Sequence, residues 1–132
     1  MPHLQFEINQ TLTDADKVTF ARQVRKLFAD IMDTGTDHIS ISIREFGTCN
    51  LSIGRVSEAE KGIALVNADI REGRTMEQRR ALALGFMELL NTIFHIPEAH
   101  IYVTLTEHKG EDFHLVEKYL ASWQEGEDPL AD

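Results

Sequence analysis

The chain has 132 residues, 42% hydrophobic and 27% charged, which suits one globular domain with a proper core and is short for two. Its formal net charge of −9 argues against nucleic acid as a partner, because a phosphate-binding surface must be basic; the field at a local site can still oppose the total. A single cysteine, Cys49, excludes an internal disulfide and a cysteine-based zinc site, and no apolar run reaches membrane-spanning length, so the expectation is a cytoplasmic protein without a membrane partner.

Residues 2–9 alternate, with Leu4, Phe6 and Ile8 on one side and His3, Gln5, Glu7 and Asn9 on the other, the pattern of a half-buried strand. The polar side of this strand interrupts the start, so no signal peptide is expected. Thr13 is placed as a helix N-cap, and Asp14 and Asp16 suit the positive end of the helix dipole. Phe20, Val24, Leu27, Phe28 and Ile31 recur at helical spacing, which predicts an amphipathic helix over about 14–33. Turn residues from Asp33 to Asp37 end it, and Ile39, Ile41 and Ile43 then alternate as a second strand. Gly47, Gly54 and Gly62 mark a long connection in which Leu51 and Ile53 are expected to form a short hairpin. A further strand runs from Ile63 to Ile70. Thr75 and Gln78 form a capping box for a helix carrying Leu82, Phe86, Leu89, Leu90 and Ile93, stopped before Pro97. Ile101, Val103 and Leu105 alternate as a fourth strand. Phe113, Val116, Tyr119 and Leu120 predict a short C-terminal helix, followed by an acidic end from Gln124.

The two halves repeat. Sliding the chain by 62 positions (75 − 13 = 62) superposes the caps Thr13 and Thr75, Phe28 on Leu90, His38 on His100, Ile41 on Val103 and Glu45 on Glu107. One ungapped offset through helix and strand predicts a duplicated β-α-β unit: repeat one over about 2–46, a connection over 47–62, repeat two over about 63–108 and a tail over 109–132. The expected fold is α+β, a single domain with a four-stranded sheet and both helices on one face. The other face would then need covering, most simply by further copies of the chain, which predicts a homo-oligomer. The halves differ where chemistry would sit. Asn9 and Leu12 correspond to Arg71 and Arg74, so the chain terminus belongs to one repeat and the paired arginines to the other.

Pro2 follows the initiator, and removal of Met1 would leave a secondary amine. An α-amino group titrates near pH 8 and desolvation lowers it further, so such an amine can carry a proton near neutrality. The plainer account is a proline opening a strand, where it costs no ladder bond. Arg71 and Arg74 flank Gly73 just before a helix cap, and two guanidinium groups can grip a carboxylate; the plainer account pairs them with Glu72 and Glu77 on the surface. Glu117 could activate a water or simply lie on a solvated helix face. The six histidines lack the spacing of ligands on one helix face, so no metal is expected, and no cofactor motif occurs.

The Met-Pro start, the doubled β-α-β unit and the stretch from Glu72 to Arg79 resemble the tautomerase superfamily, over nearly all of residues 2–120. Within it, Met1-Pro2-His3 and Gly73-Arg74-Thr75 with the helix from Met76 to Phe94 look like 5-carboxymethyl-2-hydroxymuconate isomerase. Arg71-Glu72-Gly73-Arg74, the run from Thr34 to His38 and Val116-Glu117 are similar to cis-3-chloroacrylic acid dehalogenase, with Phe28 and Thr104 standing where that enzyme has a histidine and a tyrosine. Leu12 and Ser40 stand where the short 4-oxalocrotonate tautomerases have arginines. The resemblance implies an isomerase moving a proton on an enolisable 2-oxo or 2-hydroxydienoic acid. Pro2 would be the base, Arg71 and Arg74 would hold a small carboxylate substrate, Thr104 would contact it, and Leu51 with Phe28 would form an apolar wall. It implies a trimer as well. The alternative is a hydratase or dehalogenase of an unsaturated acid, with Pro2 as acid and Glu117 activating water. A non-catalytic oligomer of the same fold is the third possibility.

Overall fold

Strand β1 (His3–Ile8) sits at the centre of the molecule because both of its neighbours and both helices close on it. A computed structural model describes residues 2–116. Along β1, Leu4, Phe6 and Ile8 are fully buried and His3, Gln5 and Glu7 are half-buried. Strand β2 (Ser40–Glu45) runs parallel to β1, β3 (Ala64–Arg71) antiparallel to it, and β4 (Ile101–His108) parallel to β3, in the order β2-β1-β3-β4. Each repeat therefore pairs its own two strands in parallel, and the two repeats meet antiparallel at β1 and β3.

The helices α1 (Asp14–Met32) and α2 (Met76–Phe94) are 19 residues each and start 62 positions apart. Thr13 Oγ1 accepts the Asp16 N–H at 3.1 Å; Thr75 and Gln78 form the reciprocal capping box. At their far ends Asp33 and His95, also 62 apart, take left-handed backbone conformations with φ of 51° and 60°. The duplication thus extends to the C-caps. Phe20, Val24, Phe28 and Met32 from α1 and Leu82, Phe86, Leu90 and Phe94 from α2 pack on the buried side of β1 and β3. Edge-on aromatic contacts of Phe6 with Phe20 (4.9 Å) and Phe86 (5.3 Å) tie both helices to the central strand.

The opposite face of the sheet differs in kind from a surface waiting for apolar cover. Its side chains satisfy one another: Gln5 donates to Asp69 at 2.8 Å, Arg44 to Gln5 at 3.1 Å, His108 to Asp69 at 3.0 Å, and Asn67 to Thr104 and Thr106 at 3.0 and 3.1 Å. A partner on this face would meet a polar network. Among the described residues, no helix is long and apolar enough to cross a membrane.

Three expectations change. The connection holds two short 3₁₀ turns, Thr48–Asn50 and Ala59–Lys61, where Leu51 and Ile53 were expected to form a hairpin. Its backbone finds partners elsewhere, because Asn9 bridges its two ends. Asn9, placed by alternation on the exposed side, is only 3% exposed. Its Nδ2 donates to the carbonyls of Thr48 and Ala59, both at 3.0 Å, and its Oδ1 accepts the Ile63 N–H at 2.6 Å. Finally, the start of the tail forms a 3₁₀ turn at Gly110–Asp112 and an extended Phe113 in place of the first turn of a helix; the rest of that expected helix lies outside the described residues.

Gly62 closes the connection with φ of 105°, and a Cβ there would come within 2.7 Å of Gln10 Nε2 and 3.1 Å of Ile96 Cγ1. Gly62→Ala should therefore destabilise the fold by about 1–3 kcal/mol, read as a lower urea midpoint at unchanged slope.

Candidate active site

The parallel and antiparallel pairings bring the start of β1, the start of β2 and the ends of β3 and β4 to one end of the sheet. The C-terminus of α1 and the N-terminus of α2 lie at the same end. Pro2 is buried there, and its carbonyl accepts the Ser40 N–H at 3.0 Å, fixing the terminus against the start of β2. A cleft of about 340 Å³ opens beside it, lined by Pro2, His3 and His38, with Ser40, Phe113 and Leu115 among its other walls. Phe113 also stacks edge-on against His108 at 5.6 Å, which ties the tail segment to the end of β4.

Arg71 and Arg74 are carried to this end by β3. The β1–β3 register sets His3 opposite Asp69, so continuing it sets Pro2 opposite Ile70, next to Arg71. Neighbouring strands lie about 4.8 Å apart, which puts the Arg71 backbone within a few ångströms of the terminus. Arg71 Nη1 donates to the Glu72 carbonyl at 3.2 Å. Arg74 Nη1 donates to the Met32 carbonyl at 3.0 Å, at the C-terminus of α1, where the helix dipole favours a cation. Gly73, at φ 103°, makes the tight turn between the two arginines. Neither arginine is among the residues lining the cleft.

Among the described residues, none of the other predicted site residues lines the cleft. Phe28 is 2% exposed in the core between the helices and the sheet. Leu51 follows the first 3₁₀ turn, beyond the Ile8 end of β1, and so lies one strand length from Pro2. Thr104 is exposed on the polar face of β4, accepting from Asn67. Glu117 lies outside the described residues. His38, Phe113 and Leu115 were not singled out as site residues from the sequence. His38 entered there only as the partner of His100 across the repeat and as the end of the run from Thr34 to His38 that carries part of the resemblance.

A family model for the tautomerase enzyme matches residues 65–121, which takes in β3, α2 and β4. Among solved structures, a fused 4-oxalocrotonate tautomerase described as a symmetric trimer matches with a TM-score of 0.78 at 20% identity, covering 90% of this chain and 95% of that one. A member of the cis-3-chloroacrylic acid dehalogenase family matches with a TM-score of 0.80 at 19% identity, covering 89% and 82%. A protein inactivated by 2-oxo-3-pentynoate matches with a TM-score of 0.76 at 18% identity, covering 90% and 95%. A search of curated proteins with this sequence finds no match. The sequence of the second repeat is thus similar to the tautomerase family, and these solved structures share the fold over about nine-tenths of the chain.

Proposed function

We propose that this protein is an isomerase of the tautomerase type, moving a proton on an enolisable 2-oxo or 2-hydroxydienoic acid through the secondary amine of Pro2 once Met1 is removed. The observation that carries this reading is a buried Pro2 in the wall of a cleft, at the strand end that also bears Arg71 and Arg74. The family match and a neighbour inactivated by a 2-oxo acid support the same class of substrate.

In this reading the amine acts as the neutral base, the form that burial favours by penalising an ammonium, and takes a proton from the carbon beside the carbonyl. The electron pair of that C–H bond becomes the C=C bond, and negative charge collects on the oxygen. Arg71 and Arg74 hold the substrate carboxylate and stabilise the developing enolate. Phe113 and Leu115 keep the walls apolar, which strengthens those interactions. The chain works as a homo-oligomer, a trimer like the neighbouring fused tautomerase. Light scattering on the purified protein checks this.

The test is a nitrogen NMR titration of Pro2, on protein whose intact mass shows Met1 removed. An amine titrating at or below neutrality supports the base. One titrating well above it would instead favour hydration or dehalogenation, with Pro2 as acid and Glu117 activating water. Retained Met1 would leave an amide nitrogen without basicity and point to a non-catalytic oligomer. Arg74→Ala should raise KM for phenylpyruvate roughly 10–100-fold with a smaller change in kcat, since it removes a charge-assisted carboxylate contact.

A further inference from the structure

Moving a proton on and off carbon is half of a tautomerisation; the oxygen must also gain or lose one. We propose that His38 is the group that does this, exchanging a proton with the substrate's 2-oxygen through Nδ1 while Pro2 serves the carbon. This rests on the tautomerase reading and names a second acid–base residue for it.

Three observations converge on His38. It lines the same cleft as Pro2, and its Nδ1 is buried without a hydrogen-bond partner among the described residues. A buried polar nitrogen left unpaired is costly, and a role in binding or proton transfer is one of the few reasons a fold keeps one. The second repeat supplies an internal control. His100, 62 positions on, occupies the equivalent place, yet its Nδ1 donates to the Gly62 carbonyl at 3.0 Å. The same nitrogen is thus bonded to backbone in one repeat and buried without a partner among the described residues in the other, where the histidine lines the cleft with Pro2.

His38 is also well placed relative to Pro2. Ile39 N–H donates to the Thr36 carbonyl at 3.1 Å, and Ser40 N–H to the Pro2 carbonyl at 3.0 Å, so the backbone on its C-terminal side is pinned to the terminus itself. The other titratable groups at the cleft are His3 and His114. His3 Nε2 is already engaged with Ser42 Oγ at 2.6 Å, and His114 sits at the exposed rim.

The proton count closes. Going from ketone to enol, the Pro2 amine takes H⁺ from carbon, the C–H pair forms the C=C bond, and the carbonyl π pair moves to oxygen. His38, in the tautomer protonated at Nδ1, donates H⁺ to that oxygen. The return reaction reverses each transfer, and solvent at the cleft mouth restores both groups between turnovers. Histidine suits the task because its charge ordinarily changes between pH 5 and 8.

The test compares His38→Asn with His100→Asn in the full-length protein, using phenylpyruvate. Asparagine at 38 can still hydrogen-bond through its amide but cannot surrender a proton. His38→Asn is expected to lower kcat roughly 100-fold with KM within about twofold, and to remove one limb of the pH–rate profile. His100→Asn should leave the profile intact. Independently, in the Pro2→Ala protein, phenylpyruvate should still shift the His38 imidazole nitrogen resonances. An unchanged kcat and two-limbed profile in His38→Asn, while Pro2→Ala is inactive, would overturn the role of His38 alone. Full activity in Pro2→Ala would overturn the underlying tautomerase reading instead.

Discussion

Pro2→Ala should cut tautomerisation of phenylpyruvate or a 2-hydroxymuconate by about 10²–10⁴-fold, the range that a positioned acid–base group contributes. Alanine after Met1 still allows an amine to be exposed, so the loss isolates the ring: its fixed φ aims the nitrogen, and a primary amine on a freer chain does not hold that aim. A variant that retains Met1 should lose activity altogether, because an amide nitrogen is not basic. The fold should survive both changes. Pro2 contributes its carbonyl to Ser40, and alanine keeps that bond. Circular dichroism and an unchanged urea midpoint would check this, and equal rates for Pro2→Ala and the parent would remove Pro2 from the chemistry.

Asn9→Ala should have the largest effect on stability, about 3–4 kcal/mol out of the 5–15 kcal/mol typical of a domain. The truncation leaves the Ile63 N–H and the carbonyls of Thr48 and Ala59 without their side-chain partner, at a position only 3% exposed. Asn9→Asp should fare no better. It would turn a donor facing two carbonyls into an acceptor. Because Asn9 lies at the Ile8 end of β1, away from Pro2, kcat per folded molecule should stay near that of the parent. Urea titration followed by far-UV circular dichroism measures the first expectation, and the specific activity of the folded fraction measures the second. A stability loss under about 1 kcal/mol would mean that the connection holds itself together without this residue.

The two roles divide by the range of the interactions involved. Strands β1 and β3, both helices and their caps depend on residues a few positions apart, and those periods are written along the chain. Thr75 with Gln78 is a local bond, visible as a spacing before any coordinates. The 62-residue offset carried this further, since it pointed to the β-α-β pairs and even matches Asp33 with His95 at the C-caps. Asn9 escaped the alternation because its burial depends on Thr48, Ala59 and Ile63, 39 to 54 positions away. Leu51 read as part of a wall near the terminus because apolar character fixes burial without fixing where in the molecule the residue is buried.

The sequence by itself determined the elements, their caps, the duplication and the candidacy of Pro2, Arg71 and Arg74, because each rests on local spacing or on a residue's own chemistry. Only the tertiary structure decided that segments near residues 2, 38 and 113 share one cleft, and that His38 Nδ1 is buried without a partner among the described residues where His100 Nδ1 is bonded to the Gly62 carbonyl. Those outcomes depend on strand register and on which carbonyl lies opposite which ring, and contacts between segments this far apart leave no periodic signature along the chain.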